Sequence, residues 1–137
     1  MELKYAQIIN KIEDCPPIKA APVSADGHRF VHSSITDQRN FLPAAMLNPR
    51  RKFKDSHECC SGMALSMFDT KERAKTRYSV LRRMIRSIHQ TIGTHLAKGT
   101  LTSEDGIATS PTSGGHFDFH EFDGVDLSTK FQIVEEL

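Results

Sequence analysis

The residues best suited to chemistry fall into two clusters. One is His57-Glu58-Cys59-Cys60, and the other is the run 116–122, where His116, Asp118 and His120 share a face if the side chains alternate. Zinc takes four ligands in tetrahedral geometry, usually from spaced pairs, and adjacent cysteines cannot easily point at one ion. A thiol nucleophile with a histidine base is the second chemistry on offer. The competing interpretation is a small buried cysteine, and we predict no metal site.

Gly114-Gly115-His116 is a candidate of another kind. Two glycines allow the backbone to approach a ligand closely, and the histidine then begins a strand beside that approach. Arg29 and His32 lie on an early predicted strand, where an arginine could bind a phosphate or a carboxylate. An ordinary hairpin loop and an exposed strand face are the alternatives for these residues.

Hydrophobic periodicity predicts the elements that position these side chains. Strands are expected at 28–34, 64–68, 95–102, 116–122 and 130–134. A helix is expected after Thr36-Asp37, ending at Asn48-Pro49, and because Pro43 falls inside it the helix is either short or begins at Pro43. A long helix follows Asp69-Thr70 and runs to Gly93, with a possible break near Ser87. Its apolar stripe consists of Ala74, Tyr78, Leu81, Ile85, Ile88 and Ile92, and we expect it to be the main packing surface.

These elements predict one α+β domain over residues 28–137, with a mostly antiparallel sheet packed on one long amphipathic helix. Residues 1–14 are predicted to form a separate N-terminal helix, and residues 15–27 a proline-rich linker that closes on an Asp-Gly turn. The N-terminal helix then either docks on the core or binds a protein partner.

The cysteines and the N-terminus suggest a location. Cys15, Cys59 and Cys60 are odd in number and two are adjacent, which is a poor framework for disulfides. The first 15 residues carry scattered charges, unlike a signal peptide. No apolar stretch approaches 18 residues, so no membrane-spanning helix is expected. We therefore predict free thiols and a cytoplasmic location.

The formal net charge of +1 conceals a strong segregation. Residues 50–98 contain twelve basic and four acidic residues, whereas residues 99–137 contain one basic and eight acidic residues. One interpretation is a nucleic-acid-binding surface. The other is that the acidic third folds back on the basic helix. The candidate nucleic-acid contacts are Arg50, Arg51, Lys52, Lys54, Arg73, Lys75, Arg77, Arg82, Arg83 and Arg86.

Four short motifs resemble those of a family of small uncharacterised bacterial proteins. They are Arg29-Phe30-Val31, Asn40-Phe41-Leu42-Pro43, the segment 62–70 with Leu65-Ser66-Met67-Phe68-Asp69-Thr70, and Gly115-His116-Phe117. The family pattern has an acidic residue where this chain has Asn40, and this chain inserts Met63-Ala64 after Gly62. The likeness covers about residues 28–134 and implies no assigned activity.

A fainter resemblance is to the ADP-ribosyltransferase-like fold, which binds a nicotinamide dinucleotide. It implies that Arg29 or His32 would hold the ribose or phosphate and that Ser66 would order the pocket. It also implies that Glu121, the late glutamate, would stabilise an oxocarbenium ion. The alternation of side chains places Glu121 with Phe117 and Phe119, opposite His116.

Two functions are therefore expected from the sequence. The first is a toxin-like or accessory protein with a nucleotide-handling pocket that could take NAD. Its catalytic residues would be Arg29, Ser66, His116 and Glu121, and its cofactor contacts His32, Gly114 and Gly115. The second is a non-enzymatic module that binds a protein through residues 2–14 or a nucleic acid through Arg50, Arg51, Lys52, Arg82, Arg83 and Arg86.

Overall fold

Seven antiparallel strands form one sheet in the computed structural model, which describes residues 1–137. Their order across the sheet is β1-β5-β6-β3-β2-β4-β7, and the longest helix packs against one face, so the predicted α+β class is confirmed. The strands are β1 (Ala21–Pro22), β2 (Ala25–Val31), β3 (Leu65–Phe68), β4 (His95–Leu101), β5 (Gly106–Ala108), β6 (His116–Glu121) and β7 (Phe131–Glu136).

Five α-helices and two short 3₁₀ helices connect the strands. The α-helices are α1 (Ala6–Ile9), α2 (Ala44–Leu47), α3 (Ser56–Gly62), α4 (Lys71–Met84) and α5 (Ile88–Ile92). The 3₁₀ helices span Gln38–Phe41 and Leu127–Thr129. None of the helices has the length and apolar character that crossing a membrane requires.

The start of α4 agrees with the sequence prediction. The hydroxyl oxygen of Thr70 accepts a hydrogen bond from the backbone N–H of Arg73, and Glu72 lies in the first turn. The helix ends at Met84 because Ile85 has an extended backbone, and a helical course resumes only at Ile88. The prediction of a continuous helix to Gly93 is therefore wrong, and the structure contains the break near Ser87 that was the alternative.

The larger hydrophobic cluster lies on the sheet face opposite α4, which corrects the expected main packing surface. Its strand residues come from β2 to β7, and Leu127 joins it from a 3₁₀ helix. On the α4 side the cluster is smaller and centres on Phe68, Ala74 and Leu96. Of the predicted apolar stripe only Ala74, Tyr78 and Ile88 are buried. The larger cluster consists of Val31, Leu65, Met67, Ala97, Leu101, Ala108, Phe117, Phe119, Leu127 and Phe131.

The segment after β2 contains two short helices, and the second begins directly after Pro43, one of the two starts expected there. Asp37 caps the 3₁₀ helix Gln38–Phe41 by accepting a hydrogen bond from the backbone N–H of Arg39. Leu42 and Pro43 are extended, so α2 starts anew at Ala44. Proline fixes its own φ and disfavours a helical conformation for the residue before it, which explains the division.

The N-terminal segment is joined to the sheet and does not form a helix over residues 2–14. Only Ala6–Ile9 is helical, and Ala6 and Ile9 are buried. Leu3 makes an antiparallel bridge with Phe122, beyond the end of β6. The predicted linker contributes β1, whose Ala21 and Pro22 pair with β5.

Cys15 and Cys60 form a disulfide, and Cys59 is free. The expectation that the cysteines do not pair is wrong, because sequence spacing does not reveal that α3 brings Cys60 to the end of the N-terminal segment. Disulfides are rare in reducing compartments. The cytoplasmic location stays a prediction.

Candidate functional site

Ser66 and His116 lie on the adjacent strands β3 and β6, and their side chains meet. In the β3–β6 register Ser66 faces Asp118 and Phe68 faces His116, so these four side chains share the α4 face of the sheet. The Ser66 hydroxyl oxygen Oγ lies 2.6 Å from His116 Nε2. Ser66 is exposed and the His116 side chain is 36% exposed, so solvent reaches the pair.

The electrostatic environment favours the neutral form of His116. Burial lowers the pKa of this imidazole, and the positive charge of Arg77 lowers it further, while the carboxylate of Asp118 opposes both effects. A neutral imidazole can accept a proton from a hydroxyl group, so Ser66 and His116 have the relationship of a nucleophile and a general base.

Asp118 does not complete a catalytic triad with this pair. Its Oδ1 lies 3.7 Å from His116 Nε2, the same nitrogen that faces Ser66. In a triad the carboxylate bonds the other ring nitrogen and so holds the tautomer. The arrangement is a serine–histidine pair with a carboxylate beside it.

Gly115 serves the packing of the protein backbone. Its φ is +82°, and an added Cβ would lie 2.3 Å from Asp69 Oδ1 and 2.5 Å from Arg73 Cδ. The carbonyl of Gly115 accepts a hydrogen bond from the backbone N–H of Asp69 at 2.9 Å. Gly114 faces nearly open space. Gly115 therefore places His116 against the start of α4.

Arg29 lies on the opposite face of the sheet from the Ser66 hydroxyl. The strands β2 and β3 pair only at His28 and Phe68, so they diverge beyond this point. The half-buried guanidinium of Arg29 lies between the two diverging strands. It donates hydrogen bonds to the backbone carbonyls of Asn40 at 2.7 Å and Ser66 at 2.8 Å, and a longer one to the carbonyl of Leu42.

Burial lowers the pKa of Arg29 to about 10, and Glu121 counters part of that effect. The guanidinium is still protonated at neutral pH. Its donors hold protein carbonyls, so Arg29 positions β3 and the 3₁₀ helix.

Asn40 has a structural role in this region that the sequence does not predict. It is 2% exposed, and its side-chain oxygen accepts a hydrogen bond from the backbone N–H of His32 at 2.7 Å. Its amide nitrogen donates to the carbonyl of Ser34. The His32 ring is half-buried, and its pKa is lowered first by burial and then by Arg39.

Glu121 is far from the chemistry that the resemblance assigns to it. It lies on the same sheet face as Phe119 and is 4% exposed. Lys4 Nζ lies 3.0 Å from Glu121 Oε2, an ion pair that has no signature in the sequence. Burial raises the pKa of the Glu121 carboxyl, and Lys4 and Arg29 oppose that rise.

The four predicted catalytic residues therefore divide between the two faces of the sheet. The side chains of Ser66 and His116 meet on the α4 face, whereas Arg29 reaches Ser66 only through its backbone carbonyl and Glu121 is buried with Lys4. No group of three or more histidine, cysteine, aspartate or glutamate side chains is placed to hold a metal ion.

The basic segment is mostly unpaired. Of its twelve cationic residues, Lys71 and Lys75 pair with Glu135, Arg73 pairs with Asp69, and Lys98 pairs with Asp26. The acidic third of the chain thus folds back on only two lysines of the basic segment. The eight cations without an acidic partner within 4.0 Å are Arg50, Arg51, Lys52, Lys54, Arg77, Arg82, Arg83 and Arg86.

Comparison of the chain with protein-family models, with curated proteins and with solved structures gave no match.

Proposed function

We propose that the protein binds a phosphate-bearing ligand of the nucleotide class, with NAD as one member, over the Ser66–His116 pair on the α4 face. The observation that carries the proposal is the 2.6 Å contact between Ser66 Oγ and His116 Nε2 at a solvent-accessible position. A hydroxyl group and a neutral imidazole together offer a donor and an acceptor for hydrogen bonds to ribose or phosphate oxygens.

The charge beside the pair supports an anionic ligand. Arg77 lies close enough to lower the pKa of His116 and has no acidic partner within 4.0 Å. An arginine free of ion pairs can donate a forked pair of hydrogen bonds to a phosphate group. Asp118 would favour a ligand that also presents hydroxyl donors, as a ribose does.

The proposed activity is binding without transfer of ADP-ribose. An ADP-ribosyltransferase needs a carboxylate near the bond that breaks, and Glu121 lies on the other face of the sheet with Lys4 as its partner. Arg29, the other residue of that assignment, has its donors on backbone carbonyls.

The experiment measures ligand-induced thermal shift and calorimetric binding with NAD, AMP and ribose, together with nicotinamide release. We expect binding of NAD and AMP, weaker binding of ribose, and no nicotinamide release. Ser66→Ala, His116→Gln and Arg77→Gln should each weaken binding, whereas Ser79→Ala, an exposed serine on α4, should not. Binding that is absent, or that is equal in wild type and the three site variants, would contradict the proposal.

A second candidate function is the binding of a nucleic acid by the unpaired cations of the basic segment. Six of these eight residues are arginines, the side chain best suited to phosphate groups. Binding of a 20-nucleotide single strand, followed by fluorescence anisotropy, should weaken by orders of magnitude between about 50 and 200 mM salt if six or more phosphates are neutralised. A triple change of Arg82, Arg83 and Arg86 to Glu should abolish it. Unchanged affinity in that variant would reject the candidate.

A further inference from the structure

Beneath the N-terminal segment lies a group of buried polar atoms without partners. Both ring nitrogens of His120 and the Glu121 oxygen Oε1 make no hydrogen bond, and the two residues are 2% and 4% exposed. These atoms border a narrow gap between the N-terminal segment and the sheet, which we call the seam. It is also bounded by Tyr5, Ile9 and Leu65, and it leaves no room for a water molecule. Folded proteins satisfy nearly all buried polar atoms, so atoms left without partners call for an explanation.

The ammonium group of Lys4 occupies the polar end of this seam. Lys4 Nζ lies 3.0 Å from Glu121 Oε2 and donates a hydrogen bond to the backbone carbonyl of Val125, also at 3.0 Å. A carboxylate and a carbonyl oxygen held at this distance form an environment that selects a protonated amine. Lys4 belongs to the N-terminal segment, residues 2–9.

A short set of contacts attaches that part of the chain: the side chains of Ala6 and Ile9 are buried, and Leu3 bridges Phe122. The backbone N–H of Lys4 donates to the carbonyl of Glu121, and the N–H of Asp123 donates to the carbonyl of Glu2. Helix α1 has four residues, fewer than an isolated helix needs to be stable. Beyond it, the Cys15–Cys60 disulfide tethers the segment to α3.

We propose that residues 2–9 close a second binding site, formed by Glu121, His120 and the Val125 carbonyl, and that this site takes a small aliphatic amine when the segment leaves. The amine's ammonium group replaces that of Lys4, and His120 offers a donor and an acceptor to a further polar group of the ligand. Arg29 lies near Glu121 but is fixed by backbone carbonyls, so it cannot replace the lost ammonium.

Reduction of the disulfide favours the open state because it removes one of the segment's attachments. A dithiol supplies two electrons and two protons to the Cys15–Cys60 bond, which yields two thiols and leaves the reductant as a disulfide. The carboxylate of Glu121 lies on the opposite face of the sheet from the proposed nucleotide site, whereas His120 lies near enough to Asp118 for that carboxylate to oppose the lowering of its pKa.

The test uses the full chain and n-butylammonium as the probe, with n-butanol as the uncharged control, followed by backbone amide shifts in NMR spectra. Lys4→Met should bind butylammonium saturably, with shifts centred on residues 119–125, and should not bind butanol. Adding Glu121→Gln to that variant should weaken binding at least tenfold. Wild-type protein should bind at least tenfold more tightly after reduction than in its disulfide form.

Equal affinity of the reduced and disulfide forms would overturn the proposal, and so would a folded Lys4→Met variant without saturable binding. If Lys4→Met does not fold, the proposal is tested on the wild-type protein by measuring hydrogen exchange with and without reductant. Reduction should then speed exchange at the amides of residues 5–9, and an unchanged rate would overturn the proposal. Ser66→Ala should leave butylammonium binding intact, which separates this result from a failure at the nucleotide site.

Discussion

Arg29 donates its Nε hydrogen to the backbone carbonyl of Asn40 at 2.7 Å and thereby joins β2 to the 3₁₀ helix that follows it. The same guanidinium holds the carbonyl of Ser66, whose hydroxyl meets His116 on the other face of the sheet. One side chain thus sets the position of the backbone from which the candidate site projects.

Replacing Arg29 by methionine should lower the free energy of unfolding by about 3 kcal/mol, because hydrogen bonds from charged donors are worth roughly 1.5–3 kcal/mol each. Arg29→Lys should recover only part of this loss, since an ammonium cannot present a planar fork. Urea denaturation measures both values. Arg50→Met, at an exposed and unpaired position, is the control and should change stability by no more than about 0.5 kcal/mol. Equal effects at the two positions would contradict the role of Arg29.

The two adjacent glycines should respond differently to alanine. Gly115→Ala places a methyl group at φ +82° and 2.3 Å from Asp69 Oδ1, so either the loop or the start of α4 must move. We expect a loss of about 1–3 kcal/mol and a weaker contact between His116 and Ser66. Gly114→Ala meets nothing closer than 4.0 Å and should be nearly neutral. Thermal denaturation of the two variants gives the comparison, and similar melting temperatures would show the argument to be wrong.

The Cys15–Cys60 disulfide should stabilise the protein substantially. It closes a loop across a sequence separation of 45 residues, which in the chain-entropy model contributes about 4 kcal/mol. Chemical denaturation with and without a reductant measures the difference, and Cys15→Ser should reproduce the reduced value. Cys59→Ser removes the free thiol and should leave stability unchanged. Disulfide mapping by peptide mass spectrometry would refute this pairing if it found Cys15 joined to Cys59.

Stability should decrease as the pH falls below about 6.5, the pKa of an unperturbed histidine. Burial is the first cause that lowers the pKa of His116 and of His120. In the window between each lowered pKa and 6.5 the unfolded chain binds more protons than the folded chain, so acid favours unfolding. Urea denaturation at pH 7.5 and pH 5.5 measures the change. His120→Leu should reduce it, and an undiminished change in that variant would exclude His120 as a source.

The sequence predicts correctly those structural features that depend on residues close together in the chain. The strand ending at Phe68, the Thr70 cap and the alternation of residues 116–121 are all set by neighbours a few positions away, and the structure contains each of them. The alternation also correctly separated Glu121 from His116. The fold class followed from the order of these elements.

Contacts between residues far apart in the sequence could not be predicted from the local sequence pattern. The apolar stripe of α4 indicates that the helix packs on the sheet. It carries no information on the hydrophobic cluster on the other face of the sheet, which is the larger of the two. Neither Lys4 beside Glu121 nor Cys15 beside Cys60 has a local signature, since 117 and 45 positions separate the partners. The meeting of Ser66 and His116 depends likewise on the β3–β6 register.

The two outer strands have a consequence for how copies of the protein meet. At one margin β1 is two residues long and ends in Pro22, which lacks the N–H that a further strand would need. At the other margin β7 carries Glu135 and Glu136 near its end, so a second β7 laid against it in parallel and in register would bring like charges together. Both margins of the sheet therefore carry features that discourage the addition of a further strand.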